Sequence, residues 1–257
     1  MAENAQTVVQ QAAQPLCIVP HLGLGDMIVL NGLIRMACAQ RPEVLLFVKR
    51  TYISSLRSLF GDLRNLRLKF VEEAHEIHAD GQKALRDAEA RGYEMLLLGV
   101  HSGSRWRELD PLWPAALYRQ AGLDPSFTHS AFSVQQNNDR ENALLAAVRA
   151  AVGEVYVVVH DDASRAMTLD ARYLPPGMPV VHVDDPRWRT NNIFDYIAVI
   201  DNAMQFHSID SCFMLMADML SLKARKFCHA YTRDAGMLQG LYRGDVTIIR
   251  ERHRDAV

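Results

Sequence analysis

The chain has 257 residues, of which 49% are hydrophobic and 23% charged. That is the balance of an ordinary globular protein with room for one large or two small domains, and it excludes a globally disordered chain. A formal net charge of −2 excludes a polyanion binder that works through overall charge.

Residues 1–14 are polar, with no apolar core between basic flanks, so they are expected to be a flexible arm rather than a signal peptide. A short apolar run at 16–20 predicts the first strand. It leads into the loop His21-Leu22-Gly23-Leu24-Gly25-Asp26 and then a helix over 27–39, with Asp26 placed to cap it. Strands are expected at 44–48, 66–71 and 93–100, and helices at 52–60, 72–91 and 115–121. The polar stretch 124–138 carries the expected domain boundary, giving an N-terminal Rossmann-like domain over 15–130 and a C-terminal one over 131–257.

The second half begins with a helix over 139–152. Strands follow at 155–159, 179–183, 203–207 and 224–228, the last of them the final buried strand. Helices are expected at 194–200 and 212–222. Strands alternating with helices imply parallel sheets covered by helices, an α/β fold built as two Rossmann-like halves. The stretch 212–222 is the most apolar, but it is short and contains Asp218. A bilayer span needs about 20 apolar residues.

Four cysteines (Cys17, Cys38, Cys212 and Cys228) sit among apolar neighbours and lack zinc-ligand spacing. Buried free thiols and a reducing, cytoplasmic setting are expected. Charge is uneven locally. Residues 49–69 hold six basic residues and one acid, and residues 223–254 hold eight and three. Either stretch could attract an anionic substrate, although a solvated helix face is the commoner reason for such a run.

The sharpest local signal is the first loop. Gly23 and Gly25, between a strand and a helix, allow close backbone approach to a ligand near free N–H groups. The dinucleotide fingerprint fails because its third glycine position is Ile28. Asp26 would repel a phosphate there but could take a proton from a hydroxyl. As a plain helix cap it would do neither.

The run Pro20-His21-Leu22-Gly23-Leu24-Gly25-Asp26-Met27-Ile28, followed by Leu30-Asn31-Gly32-Leu33-Ile34-Arg35, resembles the opening of GT-B glycosyltransferases related to the lipopolysaccharide heptosyltransferases. In that family the aspartate after the glycine is the base for the acceptor hydroxyl, a role the resemblance carries to Asp26. His21 beside it is the alternative base. The resemblance also implies two Rossmann-like halves facing each other across a cleft.

A second point of resemblance is Phe206-His207-Ser208-Ile209-Asp210-Ser211-Cys212-Phe213. There a strand, a Ser/Asp-rich turn and an apolar helix hold the donor diphosphate, which places His207, Ser208, Asp210 and Ser211 at the donor. Ser208 and Ser211 can donate hydrogen bonds, and a helix N-terminus offers N–H groups and a positive dipole. Asp210 is awkward beside a diphosphate and could instead cap the helix or meet a sugar hydroxyl.

A third is His160-Asp161-Asp162-Ala163-Ser164-Arg165. In resembling enzymes a basic residue after this strand contacts the phosphates. Arg165 is the candidate, since a guanidinium can grip phosphate oxygens bidentately, and His160 would orient the loop. Adjacent aspartates on a turn are usually solvated caps, so no metal is expected.

Lesser candidates are the loop His101-Ser102-Gly103-Ser104-Arg105 for the acceptor, and Asn191, Asn192 and Asp195 as caps. Trp106, Trp113 and Trp188 are expected to pack, and Met214, Met216 and Met219 to lie in the core. The implied activity is metal-independent transfer of a sugar from a nucleotide-sugar co-substrate to an acceptor hydroxyl. Alternatives are an NAD- or SAM-dependent enzyme and a non-catalytic binding protein on a GT-B-like shell. A nucleic-acid acceptor has only the basic stretch 49–69 in its favour.

Overall fold

A computed structural model describes residues 13–71, 79–99, 112–162, 167–231, 233, 235–243 and 245–250, except for the side chains of 79 and 80. Two compact units divide the chain, Met1–Gln135 and Gln136–Val257.

The sheet of the first unit contains β1 (Leu16–Val19), β2 (Val44–Lys49), β3 (Leu66–Val71) and β4 (Glu94–Leu97), in the order β3-β2-β1-β4. All three pairings are parallel. β1 is buried along its whole length, as expected of a central strand with both faces covered. β3 lies at the edge and alternates Leu66, Leu68 and Phe70 with Arg67 and Lys69. Both charged side chains are exposed, which discourages pairing with another chain. Two of the six cations in the 49–69 stretch therefore have a structural reason to be there.

The helices of this unit are α1 (Leu24–Val29), α2 (Asn31–Gln40), α3 (Ile53–Phe60), α4 (Ala79–Ala90), α5 (Trp113–Gln120) and α6 (Phe127–Ser130). The single helix expected over 27–39 is two helices, broken at Leu30. The cause is the fully buried Tyr118 of α5. Its hydroxyl donates to Val29 O at 3.0 Å and accepts from Leu33 N, also at 3.0 Å. A side chain has thus entered the i→i−4 ladder, one of the recognised causes of a helix break. Gly32 makes room for the crossing, since a Cβ there would lie 2.9 Å from the Tyr118 hydroxyl and 2.1 Å from Phe127 O. Asn31 completes the joint by donating to Leu59 O and accepting from Ser133 N.

Tyr118→Phe is expected to destabilise the first unit by about 1–3 kcal/mol, because a buried N–H and a carbonyl lose their partner. Urea unfolding would measure it. A loss near zero would mean that α1 and α2 can rejoin with Leu33 bonded directly to Val29.

The second unit holds α7 (Asn138–Val152), β5 (Val157–His160), β6 (Val180–His182), α8 (Ile197–Asp201), β7 (Gln205–Ile209), α9 (Cys212–Met219), β8 (Arg225–His229), α10 (Ala235–Gln239) and β9 (Val246–Ile249). Its sheet runs β6-β5-β7-β8-β9, again parallel throughout. β8 is therefore not the final strand. β9 flanks it as a half-buried edge strand, and partial burial blurs the periodicity by which a strand is read.

α9 is buried at Phe213, Met214, Leu215, Met216, Ala217, Asp218 and Met219, the pattern of a helix enclosed on every side. Its methionines are core residues. Asp195 opens no ligand site. It is buried and accepts from Arg140 (2.6 Å), Thr190 (2.5 Å) and Asn192 (3.2 Å), while Asn192 caps the 3-10 turn Ile193–Tyr196. Trp188 is buried with its indole N–H on His182 O. Among the described residues no helix is long and apolar enough to cross a membrane.

Candidate functional site

In a parallel α/β sheet, ligands bind beyond the carboxyl ends of the strands where the strand order reverses. Each unit has one such point. In the first unit β2 and β3 lie on one side of β1 and β4 on the other, so the switch falls between β1 and β4. In the second unit β6 lies on one side of β5 and β7 on the other, so it falls between β5 and β7.

The first switch point carries His21, Gly23, Gly25 and Asp26. α1 begins at Leu24, its cap is Gly23, and no side chain caps it. Asp26 therefore lies within the first turn and is not the N-cap, which removes the capping role expected of it. Gly25 lies in the same turn rather than in a loop. The Asp26 carboxylate folds back over Gly23, where a Cβ would come 2.5 Å from Oδ2. Its other oxygen is 3.4 Å from His21 Nδ1, and both side chains are about one-fifth exposed. His21 is seated against Gly99, beyond the end of β4. A Cβ at Gly99 would lie 2.2 Å from His21 Nε2, and the φ of +59° there is one that only glycine adopts without strain. The arrangement is an accessible carboxylate beside an imidazole, able to accept a proton from a hydroxyl. The acceptor loop candidates His101 to Arg105, and Trp106, lie outside the described residues.

The second switch point gathers three of the predicted donor residues. His160 ends β5, Ser208 is in β7, and Ser211 caps α9 by accepting from Phe213 N at 3.3 Å. Ser211 Oγ lies 3.1 Å from His160 Nδ1 and 3.0 Å from Ser208 Oγ. Ser208 Oγ donates to Ile209 O at 2.7 Å and lies 3.4 Å from the His160 ring. The His160 ring packs on Phe213 at 4.4 Å. Two hydroxyls and an imidazole are thus held by side chains and backbone at the start of an eight-residue helix, where N–H groups and the helix dipole favour an anion.

Asp210 sits between the two serines but has a different environment. Its side chain is wholly buried and paired with Arg233 at 3.0 Å. His207 is not part of the cluster. Strand alternation puts it on the opposite face of the sheet from Ser208. There its Nδ1 lies 3.2 Å from His229 Nε2, its Nε2 2.9 Å from Gln205 Oε1, and its ring stacks on Phe227 at 4.5 Å. Burial, and then the neighbouring His229, push the His207 pKa down to about 4.

The adjacent aspartates after β5 are used locally. Asp161 accepts from Leu169 N at 2.7 Å and meets His182 Nδ1 at 2.9 Å. Burial works against its charge, but these hydrogen bonds outweigh it and hold the carboxyl below its ordinary range. Asp162 forms an antiparallel bridge with Met167. Arg165 lies outside the described residues.

Arg233 is the residue that sequence reasoning missed. It follows β8 in a basic stretch read as a solvated face, and only its spacing in the fold puts it against Asp210. Of the four free cysteines, Cys17, Cys38 and Cys228 are buried and Cys212, which opens α9, is partly exposed. Burial pushes each of the three buried thiols up to about 12.

No protein-family model matches the chain, and no curated protein matches it in sequence. Among solved structures, the chain is similar to the glycosyl transferase family 9 protein from Veillonella parvula, with a TM-score of 0.56 and 10% identity. The match covers 93% of this chain and 86% of that one. At that identity it is the fold that is shared. The chain has the GT-B fold of two Rossmann-like α/β units, each with a parallel sheet.

Proposed function

We propose that the protein is a glycosyltransferase that moves a sugar from a nucleotide-sugar donor to an acceptor hydroxyl without a metal. The observation that carries this reading is the His160–Ser208–Ser211 cluster at the α9 N-terminus, at the switch point of a unit whose fold a glycosyltransferase shares. The Ser211 hydroxyl and the helix N–H groups, fixed before the reaction, stabilise charge as it builds on a leaving diphosphate, while Ser208, whose O–H is given to Ile209 O, holds Ser211 in place. Arg165, close in sequence to the end of β5, supplies a cation to the same diphosphate. In the first unit Asp26 serves as general base toward the acceptor hydroxyl, with His21 orienting its carboxylate.

Thermal denaturation tests the donor reading. The probes are UDP, GDP, ADP and CMP, nucleotide-sugars of each type, and NAD and S-adenosylmethionine as competitors. A ligand at 100 times its dissociation constant adds about 2.7 kcal/mol of stability, a readable shift in Tm. Stabilisation by one nucleotide family supports the proposal and identifies the base of the donor. A shift with NAD or S-adenosylmethionine alone transfers the chain to another enzyme class. No shift with any probe removes the donor site.

A further inference from the structure

The second unit presents an electrostatic problem that its own fold answers. Asp210 directly precedes Ser211, so a bare carboxylate there would oppose any diphosphate bound at the Ser211 hydroxyl and the start of α9. Its side chain has no solvent exposure. A carboxylate buried to that degree requires a counter-charge. Arg233, 23 residues further along the chain, provides it. Arg233 Nη1 donates to Asp210 Oδ2 at 3.0 Å and to the Asp210 main-chain oxygen at 3.3 Å. The second bond ties the guanidinium to the backbone one residue before the cap of α9.

A guanidinium has five donors in a planar fork. Only Nη1 bonds to Asp210, and 40% of the Arg233 side chain is exposed. The pair therefore does two things. It cancels the charge of Asp210, and it fixes an accessible guanidinium, with N–H donors to spare, within one residue of Ser211. On the reading that this unit holds the donor, we propose that Arg233 contacts the diphosphate through its remaining N–H groups, and that Asp210 is the residue that positions it. Asp210 then touches no part of the ligand, which explains how an aspartate can occupy an anion-binding turn.

The experiment uses the full chain and separates a ligand contact from simple neutralisation. Arg233→Gln alone would strand a buried charge, so the informative protein is the double variant Asp210→Asn/Arg233→Gln. It keeps a neutral side chain at both positions and removes the cation. Isothermal titration with UDP, GDP and ADP, and with the corresponding nucleosides, is run on wild type and double variant.

Loss of one or two charge-assisted hydrogen bonds predicts roughly 10- to 100-fold weaker binding of the diphosphate that wild type prefers. Binding of its nucleoside is expected to stay unchanged, because the nucleoside carries no diphosphate for the guanidinium to contact. Equal diphosphate affinity would overturn the inference and leave Arg233 as a neutraliser of Asp210, with the donor site intact. If wild type binds no nucleoside diphosphate, the donor reading and this inference fall together. Should the double variant fail to fold, Arg233→Lys makes the same distinction. It retains the counter-charge but loses the fork, and an undiminished diphosphate affinity would again overturn the proposal.

Discussion

Replacing Asp26 with asparagine is expected to abolish sugar transfer while leaving donor binding intact. The reasoning begins with position. Asp26 lies in the first turn of α1, at the switch point of the first sheet, with one oxygen folded over Gly23 and the other 3.4 Å from His21. It carries no helix-capping duty whose loss would confuse the result, because the cap is Gly23. Asparagine keeps the size and the polarity but cannot take a proton.

Removal of a general base costs typically 10²- to 10⁴-fold in rate. Release of nucleoside diphosphate, followed with the donor identified by thermal denaturation, would measure kcat. Calorimetry on the same variant would report donor affinity, which on the proposed reading rests on residues of the second unit. His21→Gln is the necessary companion. If Asp26→Asn stays active while His21→Gln is dead, the imidazole is the base and the carboxylate orients it. If both remain active, neither residue performs the chemistry, and a binding protein on a glycosyltransferase fold becomes the better description.

The second large effect concerns pH. Two buried groups of the second unit have opposite effects on stability over the same pH range. His207 has its pKa pushed down to about 4 by burial and then by His229. Its contribution to stability is present above the unfolded value of about 6.5 and is lost as pH falls toward 4. Asp218, inside α9, has its pKa raised to about 6 by burial, against which the backbone N–H of Arg243 works only in part. Its contribution is complete below the unfolded value of about 3.9 and is lost as pH rises through 6.

On acidification from pH 7.5 to 5, His207 therefore removes on the order of 2 kcal/mol while Asp218 restores about 1 kcal/mol. Each hides the other in the wild-type protein. Urea midpoints of His207→Gln and Asp218→Asn, measured at both pH values against wild type, would expose them. The His207 variant is expected to gain relative stability at pH 5, and the Asp218 variant to lose it. A difference that does not change with pH would mean that the group concerned is solvated, and no pH dependence in either difference that both are.

Much of the architecture is legible locally. A run such as Leu16 to Val19, apolar at all four positions and closed by Pro20, reads as a short strand enclosed on both sides, and α7 shows in the helical spacing of its apolar residues. The alternation of such elements is enough to predict parallel sheets in two halves. Ser208 and Ser211 are also legible, as small polar residues between an apolar strand and an apolar helix. In β9 partial burial weakened the same signal, and that strand was not anticipated.

Other features depend on contacts that no local pattern encodes. The helix break at Leu30 has one local hint, the turn-forming pair Asn31-Gly32, which the helical spacing of the apolar residues around it masks. The break is made by a tyrosine hydroxyl 85 residues beyond Leu33, seated between two backbone groups of the helix it splits. His207 and Ser208 are neighbours in sequence, yet the pleat of β7 sends them to opposite faces, one into an aromatic cluster and the other to the start of α9. Asp210 reads as an obstacle to anion binding until β8 and the turn after it bring Arg233 alongside. Most strands and helices can be placed from the chain alone, because burial periodicity is a property of neighbouring residues. Which strand ends meet at a switch point, and which charge is answered by which, follows from the order of strands across each sheet and is written in no single segment.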